Sequence, residues 1–391
     1  MAEPARLVAV AGEASGDLIA SRAIGQLLAS QQTQSIEVAG IGGDRLRSAG
    51  MTCWFNSQEL AVRGYVEALS RLPQILLVRH RLLKEIKRWK PGVFLGVDAP
   101  DFNLGVEIRC REAGIRTVHF ISPSIWAWRP ERIHQIERAV DHMLCIFPFE
   151  PACYAGTRVR ATYVGHPLAD MIPTTPNQAA ARAALGLQDE QRPVIAVLPG
   201  SRVGEIVHNG ENFFEAAALL SQHAQVIVPA ASAALAQRIR QMPAFERASA
   251  AGVRLLVGDT DQGAPVSHQA LSACDVALVA SGTATLEAAL FQRPMVIGYR
   301  IPALSYWMMK RQALTKHIGL PNILLDQRVV PELIQEEATP AALAEAVRHW
   351  LDHPKACREV SERFQALHQT LRQDASERVA DILRAELIPT P

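Results

Sequence analysis

The stretch LVAVAGEASGD, from Leu7 to Asp17, predicts the architecture of the chain. Its five apolar residues form a run short enough for a buried strand, and the turn after them leads into a helical pattern that extends to Leu28. A second stretch of this kind, PVIAVLPGSR, runs from Pro193 to Arg202. Each stretch is a strand–turn–helix unit, and chains built from such units form parallel sheets covered by helices.

Further short apolar runs predict the remaining strands. In the first half they are Glu37–Ile41, Val93–Val97, Arg116–Ile121 and His142–Ile146, and in the second half Ala224–Val228, Val253–Val257, Val276–Val279 and Met295–Gly298. The sequence therefore predicts an α/β fold of two Rossmann-like, doubly wound domains facing a cleft. In such sheets ligands bind beyond the carboxyl ends of the strands.

A proline-rich stretch separates the two halves. Four prolines from position 167 to position 193 leave little room for regular elements and predict a linker. We predict a first domain over residues 1–167 and a second over residues 168–359. The helical pattern of residues 360–391 predicts a helix that crosses back and completes the first domain.

Composition excludes several classes of protein. Apolar residues make up 49% and charged residues 20% of the chain, which is usual for a globular protein. The formal net charge of +1 gives no overall reason to bind nucleic acid. No uncharged apolar run of about 18 residues predicts a membrane span. The cysteines are scattered and form no C-x-x-C pair, which predicts neither a zinc site nor disulfides. The first residues do not resemble a signal peptide, so we expect a cytoplasmic protein.

Two strand-to-helix turns in the second half predict a phosphate site. Ser281, Gly282 and Thr283 open a helix, where free backbone N–H groups and the helix dipole attract an anion. Glu287 lies one turn further and can accept hydrogen bonds from the two hydroxyls of a ribose. Arg202, in the other turn, can clamp a diphosphate with its forked guanidinium. Taken alone, the first turn could be a plain helix N-cap and the second could carry a merely exposed arginine. The two turns together favour a binding site for a nucleoside diphosphate.

Other nucleotide and metal motifs are missing or weak. Neither G-x-G-x-x-G nor G-x-x-x-x-G-K-[ST] occurs, which argues against dehydrogenases and P-loop NTPases. Asp259-Thr260-Asp261 spells D-x-D, which holds a divalent metal in some sugar transferases, but so short a match also fits a surface loop. We expect no metal and no cofactor.

Candidate acid–base chemistry lies in the first half. Asp98 directly follows the strand Val93–Val97, where an active-site base belongs, and can take a proton from an acceptor hydroxyl. The alternative is a plain turn aspartate. Asp101 is expected to cap the next helix. Ser15 and Gly16, after the first strand, are placed to cradle an anionic group of the acceptor.

The segment Arg63–Lys90 combines positive charge with apolar side chains. It holds eight Lys or Arg against two Glu, a net charge of +6, and Pro73 interrupts its apolar cluster. This pattern predicts contact with an anionic membrane, and the alternative is a core helix with a solvated basic face. The residues expected at the membrane are Leu69, Leu72, Ile75, Leu76, Leu77, Arg79 and Arg81. Nucleic acid is not expected, because few aromatic residues accompany the charges.

Six ordered motifs resemble one enzyme family. They are GEASGD at 12–17, GVDAPDFN at 96–103, SPSIWAWRPERI at 122–133, VGHPLAD at 164–170, LPGSRxxEI at 198–206 and SGTATLE at 281–287. In these motifs the sequence is similar to the lipid-A-disaccharide synthases, glycosyltransferase family 19 of the GT-B class. The resemblance implies an inverting hexosyltransferase of Gram-negative lipid A biosynthesis. Such enzymes join UDP-2,3-diacylglucosamine to 2,3-diacylglucosamine 1-phosphate (lipid X) and release UDP.

The resemblance also implies roles for individual residues. Asp98 matches the base for the acceptor hydroxyl, Arg202 matches the arginine on the UDP diphosphate, and Ser15 and Gly16 should lie by the acceptor. The other nucleotide-site matches are Ser281, Gly282, Thr283, Glu287 and Asn322, of which Asn322 has the least defined role. The family is metal-free and peripheral on the cytoplasmic face of the inner membrane, and the sequence leaves its oligomeric state open.

Two other functions fit part of the sequence. A UDP-N-acetylglucosamine 2-epimerase shares the architecture and binds UDP with similar loops, but it would not need the basic, apolar segment Arg63–Lys90. A non-catalytic two-domain solute-binding protein should carry an export signal, and the start Met1–Arg6 does not resemble one.

Overall fold

The chain forms two compact units. The computed structural model describes residues 3–29, 35–60, 65–187, 189, 191–258 and 264–388, with the side chains of 65–71 and 304 outside this description. The first unit comprises Met1–Asp170 and Leu371–Pro391, and the second comprises Met171–Thr370. The chain thus passes between the units after residues 170 and 370. The sequence predicts these boundaries after residues 167 and 359.

Seven parallel strands form the sheet of the first unit: β1 Ala5–Ala11, β2 Ile36–Gly42, β3 Thr52–Asn56, β4 Val93–Val97, β5 Arg116–Phe120, β6 His142–Cys145 and β7 Arg160–Tyr163. Their order is β3-β2-β1-β4-β5-β6-β7. The inner strands β1 and β4 are buried almost throughout. The outer strands β3 and β7 escaped prediction because their side chains are partly exposed and form no continuous apolar run.

Helices cover this sheet: α1 Ala14–Ala29, α2 Asp44–Ser48, α3 Tyr65–Trp89, α4 Pro100–Glu112, α5 Ile133–Ala139 and α6 Pro167–Met171, whose last residue begins the second unit. Helix α3 continues through Pro73, the residue that interrupts the apolar cluster in the sequence. Three 3₁₀ turns, Ser57–Glu59, Pro130–Arg132 and Glu150–Tyr154, complete the regular structure described in this part of the chain.

Six parallel strands form the second sheet: β8 Val194–Leu198, β9 Gln225–Ala230, β10 Arg254–Val257, β11 Val276–Ala280, β12 Met295–Tyr299 and β13 Glu332–Ile334. Their order is β10-β9-β8-β11-β12-β13. The helices are α7 Gln178–Ala184, α8 Val203–Leu220, α9 Ala233–Arg240, α10 Pro243–Ala250, α11 Val266–Ala273, α12 Thr283–Leu290, α13 Ala303–Gln312, α14 Leu320–Leu324, α15 Pro340–Asp352 and α16 Pro354–Leu371, with a 3₁₀ turn at Gln335–Glu337.

Both sheets reverse their strand order at one internal pair. In the first sheet β1 lies beside β4, with Ala11 opposite Val97. In the second, β8 lies beside β11, with Leu198 opposite Val279. At such a switch point the two following loops diverge and leave a crevice for ligand. The two parallel, doubly wound sheets confirm the predicted α/β fold.

The predicted proline-rich linker contains regular structure. Helices α6 and α7 both lie within it, so the expectation of few regular elements is wrong. Pro167 is the first residue of α6, a position where the missing N–H of proline removes no helical hydrogen bond. The other prolines fall between elements.

The last helix, α17 Ala375–Leu387, completes the first unit. The Asp170 carboxylate accepts hydrogen bonds from the backbone N–H groups of Gln373, Asp374 and Ala375, at 3.2, 3.1 and 2.7 Å. It therefore satisfies amide groups at the start of the helix, which have no partner within it. Asp170, the last residue of the motif VGHPLAD, thus docks the returning chain.

Candidate active site

The backbone of Asp98 is held in an unusual conformation at the end of β4. Asp98 and Ala99 have φ angles of +50° and +45°, a left-handed conformation that ordinary side chains disfavour. The Asp98 N–H donates to the carbonyl of Phe120 at 2.9 Å. Asn103 Nδ2 donates to the carbonyls of Asp98 at 2.7 Å and Val97 at 3.3 Å. These bonds fix the backbone while the Asp98 residue stays half-buried at the carboxyl edge.

A buried polar cluster lies behind Asp98. His119 Nδ1 and Glu107 Oε1 are 2.7 Å apart, and both side chains are completely buried. Burial lowers the pKa of His119, whereas the charge of Glu107, its hydrogen bond and the charge of Asp98 raise it. The raising effects are larger together, so the pKa of His119 lies above its ordinary value. A Cβ atom on Gly96 would lie 2.1 Å from Glu107 Oε1, so only glycine leaves space for this pair.

The loop after β1 lies next to Asp98. A Cβ atom on Gly12 would lie 3.4 Å from that of Ala99. Ser15 is exposed, whereas Gly16 is buried against β1 and β4, where a Cβ would lie 3.8 Å from the carbonyl of Val97. Ser15 therefore remains available to a ligand, whereas Gly16 is enclosed, and a Cβ there would make only ordinary van der Waals contacts.

Asp17, in the same motif, has a structural role. Its carboxylate accepts hydrogen bonds from the N–H groups of Gly43, Arg45 and Leu46, at 2.6, 3.2 and 3.3 Å. Asp17 thus satisfies free amides at the start of α2. Asp101 is not the cap predicted for α4: Ala99 takes that position, and the exposed Asp101 pairs with Arg132.

Ser281, Gly282 and Thr283 form the turn between β11 and α12. Gly282 has a φ of +141° and precedes the first helical residue. Apart from its two chain neighbours, no atom of the described residues lies within 4 Å of where its Cβ would be. Gly282 and Thr283 are exposed. The turn therefore offers open space in front of the first helical N–H groups, the arrangement that binds phosphate in other proteins.

A second segment supports this turn from behind. Ser281 Oγ donates to the carbonyl of Ile318 at 3.2 Å, and the Leu320 N–H donates to Thr285 Oγ1 at 3.3 Å. The Glu332 carboxylate accepts from the N–H groups of Ile318 and Gly319 at 3.1 and 2.9 Å. Glu332 escaped sequence analysis because β13 is too short to give a strand signal.

Asn322 belongs to this support. Its side chain is completely buried, and Nδ2 donates to the Val330 carbonyl and to Glu332 Oε1, both at 2.9 Å. Its Oδ1 accepts from the N–H groups of Val329 and Val330 at 2.8 and 3.1 Å. These contacts favour a structural role, and direct contact between Asn322 and nucleotide stays a prediction.

Arg202 lies at the start of α8 with its side chain 73% exposed. Its Nη1 atom is 3.3 Å from Glu205 Oε1. Glu205 Oε2 also accepts from the N–H groups of Ser201 at 2.7 Å and Arg202 at 3.2 Å. A Cβ on Gly200, whose φ is +138°, would lie 2.4 Å from that of Glu205. Glu205 therefore occupies the loop amides, and the exposed guanidinium is what this turn can offer an anion.

Glu287 is half-buried on α12, one turn after the Ser281–Thr283 turn. Its Oε2 atom lies 3.7 Å from Nε2 of His268, and the side chains of Glu287 and His268 are 19% and 12% exposed. The D-x-D stretch, Asp259–Asp261, lies outside the described residues.

Helix α3 exposes part of the predicted membrane-contact set. Leu72, Leu76 and Leu77 are 48%, 43% and 48% exposed, and Arg81 is exposed as well. Ile75 packs against the core instead, Arg79 is half-buried, and the Leu69 side chain lies outside the description. In the part of the chain that the structure describes, no helix has the length and hydropathy needed to cross a bilayer.

Solved structures share this two-sheet architecture. A UDP-GlcNAc 2-epimerase from Neisseria meningitidis bound to UDP-GlcNAc superposes with a TM-score of 0.61 at 10% identity, over 99% of this chain and 100% of that one. MurG from Acinetobacter baumannii gives a TM-score of 0.59 at 15% identity, over 98% and 99%. The fold is that of the GT-B glycosyltransferases.

Sequence comparison narrows this class. The model of the family described as lipid-A-disaccharide synthetase matches residues 7–383. A lipid-A-disaccharide synthase from Verminephrobacter eiseniae is 48% identical over 393 aligned positions, covering 99% of this chain and 98% of that protein. The chain belongs to the lipid-A-disaccharide synthase family and is a glycosyltransferase. The family match does not favour the epimerase and solute-binding alternatives, and the likeness to the epimerase concerns the fold alone.

Proposed function

We propose that the chain transfers a 2,3-diacylglucosamine unit from its UDP derivative to the 6-hydroxyl of lipid X. The products are a tetraacyl disaccharide 1-phosphate and UDP. The observation that supports this most is that the candidate residues follow the switch-point strands of both sheets. Asp98 and Ser15 follow β4 and β1, whereas Arg202 and Ser281 follow β8 and β11.

The second unit has the features expected of a sugar-nucleotide site. The open turn at Gly282 offers helical N–H groups to the diphosphate, and the exposed guanidinium of Arg202 adds a positive charge. Glu287 would accept hydrogen bonds from the ribose hydroxyls. Negative charge develops on the diphosphate as UDP leaves, so these groups would stabilise the transition state more than the ground state.

In the first unit Asp98 would act as the general base. Its carboxylate takes the proton of the 6-hydroxyl while that oxygen attacks the anomeric carbon of the donor. The bond from that carbon to the diphosphate oxygen breaks, and its electron pair leaves with UDP. Attack in line with the departing group inverts the configuration to the β-linkage. The half-buried position of Asp98, fixed by Asn103, suits a base that must meet one hydroxyl. Ser15 would bind the phosphate of lipid X.

Both proposed substrates carry acyl chains, and the exposed leucines of α3 would meet the lipid phase that holds them. Leu72, Leu76 and Leu77 would enter the interface, and Arg81 would face anionic headgroups. We therefore place the enzyme peripherally on the cytoplasmic face of the inner membrane.

A direct assay tests this function. The purified chain is incubated with UDP-2,3-diacylglucosamine and lipid X in detergent, and disaccharide and UDP are both quantified. We expect equimolar products, and we expect Asp98→Asn to lower turnover by about 10²–10⁴-fold. Asp101→Asn, which changes the exposed neighbour, is the matched control and should retain activity. Absence of both products with the wild type would refute the transfer, and normal turnover of Asp98→Asn would refute the base.

A further inference from the structure

Helix α13 and the segment after it expose large apolar side chains that sequence analysis did not single out. Trp307, Met308, Met309 and Leu314 are 55%, 50%, 49% and 57% exposed. They account for four of the twelve large exposed hydrophobic residues in the described part of the chain. We call Trp307, Met308, Met309, Lys310, Arg311 and Leu314 the α13 surface.

This helix lacks the buried stripe of an ordinary surface helix. From 302 to 314, every residue whose side chain is described is exposed except the half-buried Tyr306. Three consecutive apolar residues, 307–309, point in different directions around the helix axis, so no single groove accommodates them. A ten-residue helix gains little stability from its own hydrogen bonds in water. An external apolar phase that surrounds the helix on several sides explains this pattern.

Charge identifies the nature of that phase. From Ala288 to Leu325 the sequence contains no Asp or Glu, whereas it contains Arg293, Arg300, Lys310, Arg311 and Lys316. The Arg311 guanidinium lies 4.6 Å from the ring centre of Trp307, and Lys310 Nζ lies 5.9 Å from that of Tyr306. Aromatic rings beside cations suit the boundary between acyl chains and anionic headgroups.

The α13 surface also lies close in sequence and structure to the phosphate-binding turn. It follows β12, whose carboxyl end belongs to the same edge of the sheet as that of β11. The chain then returns through Ile318, whose carbonyl accepts the hydrogen bond from Ser281 Oγ. A lipid contact here would hold the nucleotide-binding unit beside a membrane.

We propose that the α13 surface docks on an anionic lipid bilayer. The proposal rests on the proposed function only in the purpose that it gives to the contact, which is to bring the donor site to an acylated substrate. A second copy of the chain is a poorer occupant, because a two-fold contact across this surface would join two patches that both carry Lys310 and Arg311 and no acidic residue. An acidic protein partner would match the charge but would need a complementary groove for side chains that radiate around the helix.

Vesicle co-sedimentation of the full chain tests the proposal. Binding to vesicles of phosphatidylglycerol and phosphatidylcholine is compared with binding to vesicles of phosphatidylcholine alone. Two variants are compared with the wild type. The apolar variant is Trp307→Ser/Met308→Ser/Met309→Ser, and the charge variant is Lys310→Gln/Arg311→Gln. Each variant is also made with Leu72→Ser/Leu76→Ser/Leu77→Ser, which reduces binding through α3. We expect the apolar variant to lower partition to anionic vesicles about tenfold or more, and the charge variant to lower it chiefly on anionic vesicles.

The matched control is Leu219→Ser/Val257→Ser. These residues are 41% and 42% exposed in the same unit, and their replacement should leave partition unchanged. Unaltered far-ultraviolet circular dichroism and melting temperature show that each variant is folded. The proposal would be overturned if the wild type and the apolar variant partitioned equally to anionic vesicles. It would also be overturned if the apolar variant lost self-association but kept its binding to vesicles.

Fluorescence provides an independent readout. Brominated phosphatidylglycerol should quench the wild-type emission, and Trp307→Phe should remove most of the quenched component. Quenching that survives Trp307→Phe unchanged would contradict insertion of this surface. The transferase assay in detergent separates the two proposals, because vesicle binding without transfer refutes only the proposed function, and transfer without α13-dependent binding refutes only this inference.

Discussion

The side chain of Asn103 holds the backbone of Asp98. Asn103 Nδ2 donates a 2.7 Å hydrogen bond to the Asp98 carbonyl from the first turns of α4, just after the two left-handed residues. Left-handed backbone at a non-glycine residue costs about 1–2 kcal/mol and persists only when its surroundings enforce it. Asn103 is therefore a positioning residue for the proposed base.

Replacing Asn103 with alanine should impair catalysis more than substrate binding. We expect kcat to fall about tenfold or more, because the Asp98 loop loses its fixed conformation, while KM changes little. Steady-state kinetics measures both constants. Asn212→Ala is the matched control, since Asn212 Nδ2 also donates to a backbone carbonyl, that of Ala338, in the other unit. Equal effects of the two variants on kcat would contradict a positioning role.

Gly96→Ala should destabilise the first unit. The new methyl group would lie 2.1 Å from Glu107 Oε1 and would separate the buried Glu107–His119 pair. Overpacking of this kind costs about 1–3 kcal/mol, which chemical denaturation detects. Gly25→Ala is the control, because beyond its own helix no atom of the described residues lies within 4 Å of that Cβ position, and because alanine favours the helix. A Gly96→Ala protein as stable as wild type would show that the pair moves freely.

Glu150 should make stability depend on pH. Burial raises its pKa to about 7, although hydrogen bonds from the Phe147 N–H, the Trp126 indole and the Ile146 N–H lower it. Because the folded pKa exceeds the reference value of 4.5, folding favours the protonated form. The contribution is complete below about pH 4.5 and is lost as the pH rises through 7, on the order of 3 kcal/mol in total.

Melting temperatures between pH 4.5 and 8 measure this contribution. The variant Glu150→Gln should flatten the decline toward high pH, because it cannot ionise. Glu362→Gln, at an exposed position, should retain the wild-type slope. An unchanged slope in Glu150→Gln would show that other groups cause the pH dependence.

Asn322→Ala should weaken the support of the Ser281–Thr283 turn, which we propose binds the diphosphate. It removes one hydrogen bond from Glu332, which keeps those from the Ile318 and Gly319 N–H groups. It also leaves the buried Val330 N–H without its Asn322 partner, at a cost of about 1–3 kcal/mol. We expect a lower melting temperature together with weaker UDP binding by calorimetry. Weaker UDP binding at an unchanged melting temperature would instead favour direct contact between Asn322 and the nucleotide.

Replacing Leu72, Leu76 and Leu77 with serine should release the enzyme from vesicles. The three side chains are exposed on α3, so their loss removes apolar contact with lipid without opening the core. We expect partition to anionic vesicles to fall about tenfold, with turnover in detergent preserved. Leu219→Ser is the control. Full vesicle binding by the triple variant would return α3 to the role of a core helix with a solvated basic face.

Local sequence patterns predicted much of the fold. Continuous apolar runs marked the inner strands such as β4, because both faces of a parallel sheet are buried. The edge strands β3 and β13 gave no such signal. Between the two halves, the spacing of prolines wrongly predicted a linker with few regular elements. Helix α6 begins at Pro167, a position where proline removes no helical hydrogen bond.

The sequence by itself determined the parallel α/β class, the positions of the strand-to-helix turns and the family, because each depends on residues close together in the chain. Only the tertiary structure decided how those residues are used. Asp17 and Asp170 bind free helix amides, Asn322 meets Glu332 ten residues away, and α13 is left exposed. These outcomes depend on long-range packing and on which polar groups lose contact with water, which local residue patterns do not encode.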